Sequence, residues 1–184
     1  AKSNVEAAAS TEGDVTATGG YYASALKAIA RDATAFAGAG CNVSATSAHI
    51  SDAIYVDAVS TGEKKGQAVA DVHGDVNATV TGDEGDTECI GILTETGANA
   101  ETIVYVQGNV TATGPDDVFV NTIMVSNCFK DDEDLLLDGQ GLSIVDVEGN
   151  VKAVGKSSNA IGIDDIKDSN EVNAFVRVKG DVTS

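Results

Sequence analysis

Residues 108–114 read Gly-Asn-Val-Thr-Ala-Thr-Gly, and versions of this seven-residue motif recur along the whole chain. Self-similarity at intervals of roughly 20–50 residues is typical of solenoids and related repeat proteins. The intervals between successive copies are 28, 33, 34, 41 and 31 residues, and insertions in surface loops would account for the variation. The motif therefore predicts a single repeat domain over residues 1–184. Its copies are centred on Val15, Val43, Val76, Val110, Val151 and Val182.

Each repeat contains two further apolar segments besides the motif. The segment before the motif alternates: in Val176-Arg177-Val178-Lys179 the valines fall on one face and the cations on the other. This period of two is the pattern of a strand with one buried face. The segment after the motif is more continuously apolar, as in residues 160–163, Ala-Ile-Gly-Ile. Each repeat is thus predicted to contain three short strands.

The Gly-Asn or Gly-Asp pair that opens most copies predicts a bend, because both residue types tolerate positive φ. After the bend, Val110, Ala112 and Gly114 share one face, and Thr111 and Thr113 share the other. The strongest hairpin turns have the reverse order, Asn-Gly or Asp-Gly. A right-handed parallel β-helix of about five coils, filled by Val, Ile and Ala, fits these features better than hairpins do.

Residues 21–37 fit two interpretations. Leu26, Ile29, Ala33 and Ala37 have helical spacing, and the alanine content favours a helix that could close the end of the solenoid. Alignment of the repeats instead places residues 26–30 where later copies have apolar strands. Both a short helix and a strand remain open from the sequence.

Composition and charge exclude several classes of function. The formal net charge is −18, so we expect no binding to nucleic acid, whose phosphates require a cationic surface. No apolar run reaches about 18 residues, so we expect no membrane insertion. Aromatic residues make up only 4% and Trp is absent. Small and β-branched residues therefore have to fill the core.

The repeat pattern V-x-V-x-G-D/N-V-x-A-T-G, followed by A-I-G-I, resembles adhesin-like repeats of large secreted or surface-anchored prokaryotic proteins. The resemblance covers nearly the whole chain and is weakest over residues 20–60. It implies a right-handed parallel β-helix at the cell surface or outside the cell, and no shared chemistry. The chain begins at Ala1 and ends within a copy of the motif, as expected of a mature product or a piece of a longer protein.

Acidic loops are the candidate metal sites. Carboxylate oxygens suit Ca²⁺, but no loop has the ligand pattern of an EF-hand or of a Ca²⁺-binding β-roll. Solvated loops without a cofactor are the simpler interpretation. The six candidate ligands are Asp83, Glu84, Asp86, Asp131, Asp132 and Asp134.

No catalytic residues are predicted. Polysaccharide-cleaving β-helix enzymes need carboxylates that converge on a cleft, whereas the acids here appear scattered in loops and the arginines are only Arg31 and Arg177. His49 and His73 have no partner at a metal-ligand spacing. The three cysteines, Cys41, Cys89 and Cys128, lack a C-x-x-C spacing and are predicted to be buried free thiols, although a disulfide between neighbouring coils stays open.

The paired threonines of the motif form a further pattern. On one face of a solenoid they would make a flat array that resembles insect-type ice-binding proteins. The array is interrupted in the fifth copy by Lys152 and Val154. Threonine is also simply a good outward-facing strand residue, and this is the interpretation we favour.

We therefore expect an extracellular structural or adhesive repeat module that is not an enzyme. Its expected partners are other copies of itself, neighbouring repeats of the same chain or surface glycans. One alternative is a filament subunit joined end to end through the solenoid termini. Another is a carbohydrate-active or carbohydrate-binding β-helix protein.

Overall fold

The computed structural model describes residues 6–60, 65–82, 87–97, 99–126, 141–164 and 172–184. Within these ranges the chain forms seventeen β-strands, and no helix there is long and apolar enough to cross a membrane. In chain order the strands are β1 (Glu6–Thr11), β2 (Val15–Gly19), β3 (Tyr22–Arg31), β4 (Thr34–Ala39), β5 (Val43–Ser47), β6 (Ile50–Val59), β7 (Gly66–Val72), β8 (Val76–Val80), β9 (Glu88–Thr96), β10 (Ala100–Val106), β11 (Val110–Thr113), β12 (Phe119–Ser126), β13 (Gly141–Val147), β14 (Val151–Val154), β15 (Ser157–Asp164), β16 (Val172–Val178) and β17 (Val182–Thr183).

Every third strand joins the same parallel sheet. Sheet A contains β1, β4, β7, β10, β13 and β16, and sheet B contains β2, β5, β8, β11, β14 and β17. Sheet C contains β3, β6, β9, β12 and β15. Each coil thus runs from A to B to C, and five complete coils are followed by one more strand in each of sheets A and B. The predicted right-handed parallel β-helix is confirmed, with three strands per coil.

Residues 21–37, whose sequence fits either a helix or a strand, form two strands joined by a short bend. β3 and β4 cover residues 22–31 and 34–39, so the helix considered for residues 21–37 is wrong. Leu26 pairs in register with Ile54 and contributes to the same core. Pairing along the full length of β3 therefore overrides the helix propensity of its alanines.

The inward-facing side chains form columns that run along the axis of the β-helix. In sheet B the motif valines Val43, Val76, Val110 and Val151 pair directly with one another and are fully buried. The motif alanines form a second buried column beside them, with isoleucines in sheet C completing the interior. Small and β-branched side chains suit this narrow space, as the composition predicts.

A ladder of side-chain hydrogen bonds follows the bend between sheets A and B. At each step the Oδ1 atom of one Asp or Asn accepts a hydrogen bond of 2.7–2.9 Å from the backbone N–H of its counterpart on the next coil. In return, the backbone carbonyl of the Asp or Asn on the next coil accepts a hydrogen bond of 2.8–2.9 Å. The donor is the backbone N–H of the motif valine on the preceding coil. Each bend is therefore tied to the next by two hydrogen bonds. The members of this Asx ladder are Asp14, Asn42, Asp75, Asn109, Asn150 and Asp181.

Close stacking requires the glycine before four of the ladder residues, namely Gly74, Gly108, Gly149 and Gly180. Asn42 instead follows Cys41, and a Cβ atom on Gly13 would meet only the Thr11 hydroxyl, at 3.9 Å. A Cβ atom on Gly108 would lie 2.4 Å from the carbonyl oxygen of Gly74, and one on Gly149 would lie 2.4 Å from that of Gly108. The predicted bends are present, but none of these glycines has a φ in the left-handed region, so positive φ is not their cause. Positive φ occurs instead at Asp32 and Asn99, at corners between sheets C and A.

Each strand of sheet C contains one residue that the pairing register skips. The register passes from the pair Ser24 and Asp52 to the pair Leu26 and Ile54. The skipped residues are buried or half-buried and mostly small: Ala25, Ala53, Gly91, Thr122 and Ala160. Because of the skip, residues three apart, such as Asp52 and Tyr55, lie on the same outer face.

Candidate functional site

The outer face of sheet A carries columns of side chains that continue from coil to coil. One column contains Gly38, and all its other members have side chains. Gly40, two residues further on, lies level with Glu12 and His73 on the coils on either side. The chain therefore lacks side chains at two neighbouring positions, Gly38 in β4 and Gly40 directly after it. The other members of the Gly38 column are Ser10, Asp71, Tyr105, Asp146 and Arg177.

This absence of side chains leaves a hollow of about 400 Å³ in the sheet face. Its floor is the β4 backbone around Gly38, with Phe36 beside it. We call it the Gly38 hollow; it is bordered by Ser10, Glu12, Phe36, Asp71 and His73.

The two glycines of the hollow have different structural constraints. A Cβ atom on Gly40 would lie 2.9–3.2 Å from backbone atoms of Glu12, so stacking of the coils requires a glycine there. A Cβ atom on Gly38 would meet only the Phe36 ring closely, at 3.0 and 3.1 Å. Because a side chain can turn away, the backbone stacking of sheet A does not require a glycine at position 38.

The chemistry of the hollow is aromatic on one side and acidic on the other. Phe36 is 36% exposed. The Asp71 carboxylate lies 3.8 Å from Nε2 of His73, and both side chains are open to solvent. No lysine or arginine borders the hollow among the described residues. The hollow can therefore accept an apolar surface and hydrogen-bond donors, and it disfavours anions.

A second polar cluster, here called the sheet C network, crosses the outer faces of β3, β6 and β9. Arg31 donates two hydrogen bonds to Asp57, at 2.9 and 2.6 Å. The Tyr55 hydroxyl donates to Glu95, and the Lys27 ammonium lies 4.3 Å from the centre of the Tyr55 ring. These contacts link three successive coils through charged and aromatic side chains.

Burial shifts the ionisation of several groups in the sheet C network. Asp52 is only 4% exposed, and loss of hydration raises its pKa to about 6 despite the hydrogen bond that the Tyr22 hydroxyl donates to Oδ2 at 3.1 Å. Burial also raises the pKa of Glu88 and, together with the Glu95 carboxylate, that of Tyr55. The Oδ1 atom of Asp52 is buried and has no hydrogen-bond partner among the described residues. Solvent therefore does not reach this oxygen, whereas the Arg31 end of the network is half exposed. The contacts of the network brace three successive coils.

The expectation that the acids are scattered in loops is wrong for this face. Asp52 and Asp57 lie in β6, Glu88 and Glu95 lie in β9, and pairing of these strands brings them together. A strict in-and-out alternation of side chains does not predict this cluster, because the skipped register position shifts the alternation in each strand. Alignment of the sheet C segments with the skip included would have revealed the cluster. The Gly38 hollow could have been found as a departure of residues 38–40 from the other copies of the repeat.

The six predicted calcium ligands all lie outside the described residues. Within the described part of the chain, no three His, Cys, Asp or Glu side chains are grouped so that they could hold a metal ion. Calcium binding by the acidic loops therefore stays a prediction. It would appear as a rise in melting temperature on adding Ca²⁺ that EDTA reverses.

The threonine pairs lie on the outer face of sheet B, as predicted. Thr18, Thr46, Thr79 and Thr113 form one continuous column, which ends at Val154. The parallel column contains both threonines and other polar residues: Thr16, Ser44, Asn77, Thr111, Lys152 and Thr183.

Two of the cysteines are described, and both are free thiols. Cys89 is buried, as predicted, and burial raises its pKa to about 11. Cys41 is exposed, so the prediction of a buried thiol is wrong there. It occupies the bend position that is glycine in the other copies, and its Sγ lies 3.3 Å from the carbonyl oxygen of Glu12. Cys128 lies outside the described residues.

No known protein family, curated protein or solved structure matches this chain.

Proposed function

We propose that this chain is an extracellular structural module that holds its surface side chains at fixed spacing, mediates adhesion and carries out no catalysis. The observation that supports this most strongly is the use of the repeated residues. The motif glycine permits close approach of the coils at Gly74, Gly108, Gly149 and Gly180. The motif Asp or Asn extends the Asx ladder, and the motif valine fills the core column. Sequence repetition in this chain thus serves stacking, and the outward positions are free to vary.

The acidic surface is consistent with this role. A formal net charge of −18 keeps separate copies apart in solution and opposes contact with anionic polymers. In the sheet C network Arg31 is paired with Asp57, and the Glu95 carboxylate accepts a hydrogen bond from Tyr55, so these groups are engaged in contacts between coils.

The location is tested by labelling cells of the producing organism with an antibody against the chain. We expect labelling of intact cells, and labelling only after permeabilisation would contradict an extracellular role.

The absence of catalysis is tested separately with a panel of neutral and acidic polysaccharides. Release of reducing or unsaturated sugars by the purified chain would contradict the structural role.

End-to-end assembly is a second candidate function, because the Asx ladder is open at both described ends. The backbone N–H of Asp14 has no acceptor, and Oδ1 of Asp181 has no donor, among the described residues. A second copy stacked on the last coil would join these two groups and would place its Glu12 beside Lys179. Such a contact is heterologous and would propagate into a filament.

This junction would also place two aspartates on adjacent coils, which none of the five steps within the chain does. Like-charge repulsion therefore opposes assembly at neutral pH. We expect Asp181→Asn to form filaments at pH 7 more readily than the wild type in electron micrographs. Asp116→Asn, which removes one exposed charge away from the junction, is the control. Short particles at every concentration of the Asp181 variant would reject this candidate.

A further inference from the structure

Gly38, unlike Gly40, has no role in the stacking that supports the structural module. Position 38 belongs to an outward column whose other members carry side chains. A Cβ atom there would meet no backbone atom closer than 3.6 Å. A glycine within a strand, where stacking does not demand one, is typical of a place where another molecule approaches the backbone closely.

We propose that the Gly38 hollow binds one sugar residue of a neutral or amino-bearing glycan. The inference goes beyond the structural role and does not depend on it. The Gly38 hollow has a volume of about 400 Å³, at the lower end of the range of about 300–1,000 Å³ for small-molecule sites. Such sites combine an aromatic or apolar wall with a few polar groups that fix orientation.

The wall provided by Phe36 suits the apolar face of a sugar ring. The Phe36 ring lies beside the backbone of Gly38, and the residue is 36% exposed. The flat C–H surface of a sugar can therefore stack on this ring. The opposite border supplies Asp71 and His73, whose side chains lie 3.8 Å apart and are open to solvent. A carboxylate accepts hydrogen bonds from hydroxyl groups, and the Ser10 hydroxyl adds a group that both donates and accepts.

The charges around the hollow select among glycans. Glu12 and Asp71 both border it, and no lysine or arginine does so among the described residues. Uronic acids and sulfated sugars are therefore repelled, locally and by the net charge of −18. An ammonium group on the sugar would be attracted to Asp71, so chitosan oligomers should bind more tightly than neutral oligomers of the same length.

The test is calorimetric titration of the purified 184-residue chain with four oligosaccharides: a gluco-oligomer, a manno-oligomer, a chitosan oligomer and an oligogalacturonate. We expect binding of at least one neutral oligomer and of the chitosan oligomer, and none of the oligogalacturonate. Phe36→Ala should weaken binding about tenfold or more. Phe175→Ala is the matched control, because pairing through Val69, Ile103 and Ile144 places Phe175 in the same outward column as Phe36. Phe175 is 62% exposed and lies far from the hollow. This substitution should leave affinity unchanged.

Two further variants separate the parts of the proposal. Gly38→Ser adds a side chain to the floor of the hollow and should weaken binding of all sugars, with the fold checked by circular dichroism. Asp71→Asn should remove the preference for the chitosan oligomer and keep binding of the neutral one. The proposal is overturned if no neutral or amino-bearing oligomer binds, or if Phe36→Ala and Gly38→Ser, both folded, bind as the wild type does. These outcomes do not depend on where the protein is located, so they are distinguishable from failure of the proposed structural role.

Discussion

The backbone N–H of Asn109 donates a 2.7 Å hydrogen bond to Oδ1 of Asp75, and the Asn109 side-chain amide donates to the same oxygen at 3.1 Å. One carboxylate oxygen on the coil before thus receives two donors from a single residue. Asn42 and Asn109 flank Asp75 in the ladder, so its charge has no carboxylate on either adjacent coil. The mixture of Asp and Asn along the bend is therefore a matter of electrostatics as well as of hydrogen bonding.

Asn109→Asp should destabilise the β-helix at neutral pH by about 1–2 kcal/mol. The substitution keeps the acceptor for Asn150 but removes the amide donor and places two carboxylates roughly 5 Å apart. Denaturant unfolding at pH 7 measures this. Asn77→Ser changes an outward amide that makes no hydrogen bond among the described residues, and it should have little effect.

Gly108→Ala should cost about 2–4 kcal/mol of unfolding free energy, because the new Cβ would lie 2.4 Å from a backbone oxygen that cannot move independently. The control is Gly20→Ala, where a Cβ atom meets nothing within 4 Å. Thermal and denaturant unfolding of both variants would decide the matter. Equal stability of the two variants would contradict close stacking as the reason for glycine at the bend.

Arg31→Met should destabilise the first two coils by about 1–3 kcal/mol. The Asp57 side chain is 5% exposed, so removal of its bidentate partner leaves a nearly buried carboxylate without its cation. The Arg31 side chain itself is half exposed, which limits the effect. Lys65→Gln removes the cation of an ion pair with Glu101 in which Lys65 is largely exposed, and it should cost under about 1 kcal/mol. A larger loss for the lysine variant would contradict this ranking.

Asp52→Asn should stabilise the protein increasingly as the pH rises from about 4 to about 7. The folded-state pKa of Asp52 is raised from 3.8 to about 6, so the wild type carries no ionisation cost below about pH 4 and the full cost above about pH 6. That cost is about 2–3 kcal/mol. Unfolding free energies of the wild type and the variant, measured across this range, should diverge with pH. Asp116→Asn, at an exposed position, should show no such divergence, and a constant difference for Asp52→Asn would contradict a buried ionisation.

The repeat motif was sufficient to predict the coil, the inward valines and the outward threonines, because these follow directly from strand alternation. The reason for glycine at the bend was not predictable from local preferences. A side chain at Gly108 would collide with the carbonyl oxygen of Gly74 on the preceding coil, whereas the φ of Gly108 itself does not require glycine. The sheet C network was also missed. Its members come together only through pairing across three coils and through the skipped positions Ala53 and Gly91. The Gly38 hollow depends on the side chains of two neighbouring coils, which a single copy of the motif does not contain.

The column of motif valines has a consequence for how the molecule opens. Val43, Val76, Val110 and Val151 are fully buried, Val15 is only partly buried, and Val182 is 47% exposed. Each coil packs mainly on its immediate neighbours, so in the isolated 184-residue chain the first and last described coils pack on one neighbouring coil only. Amide hydrogens in the outer coils should exchange with solvent by fraying, and those of β8 and β11 only by much rarer openings. Under mechanical load or heat, the β-helix should therefore shorten coil by coil from its ends before its middle is lost.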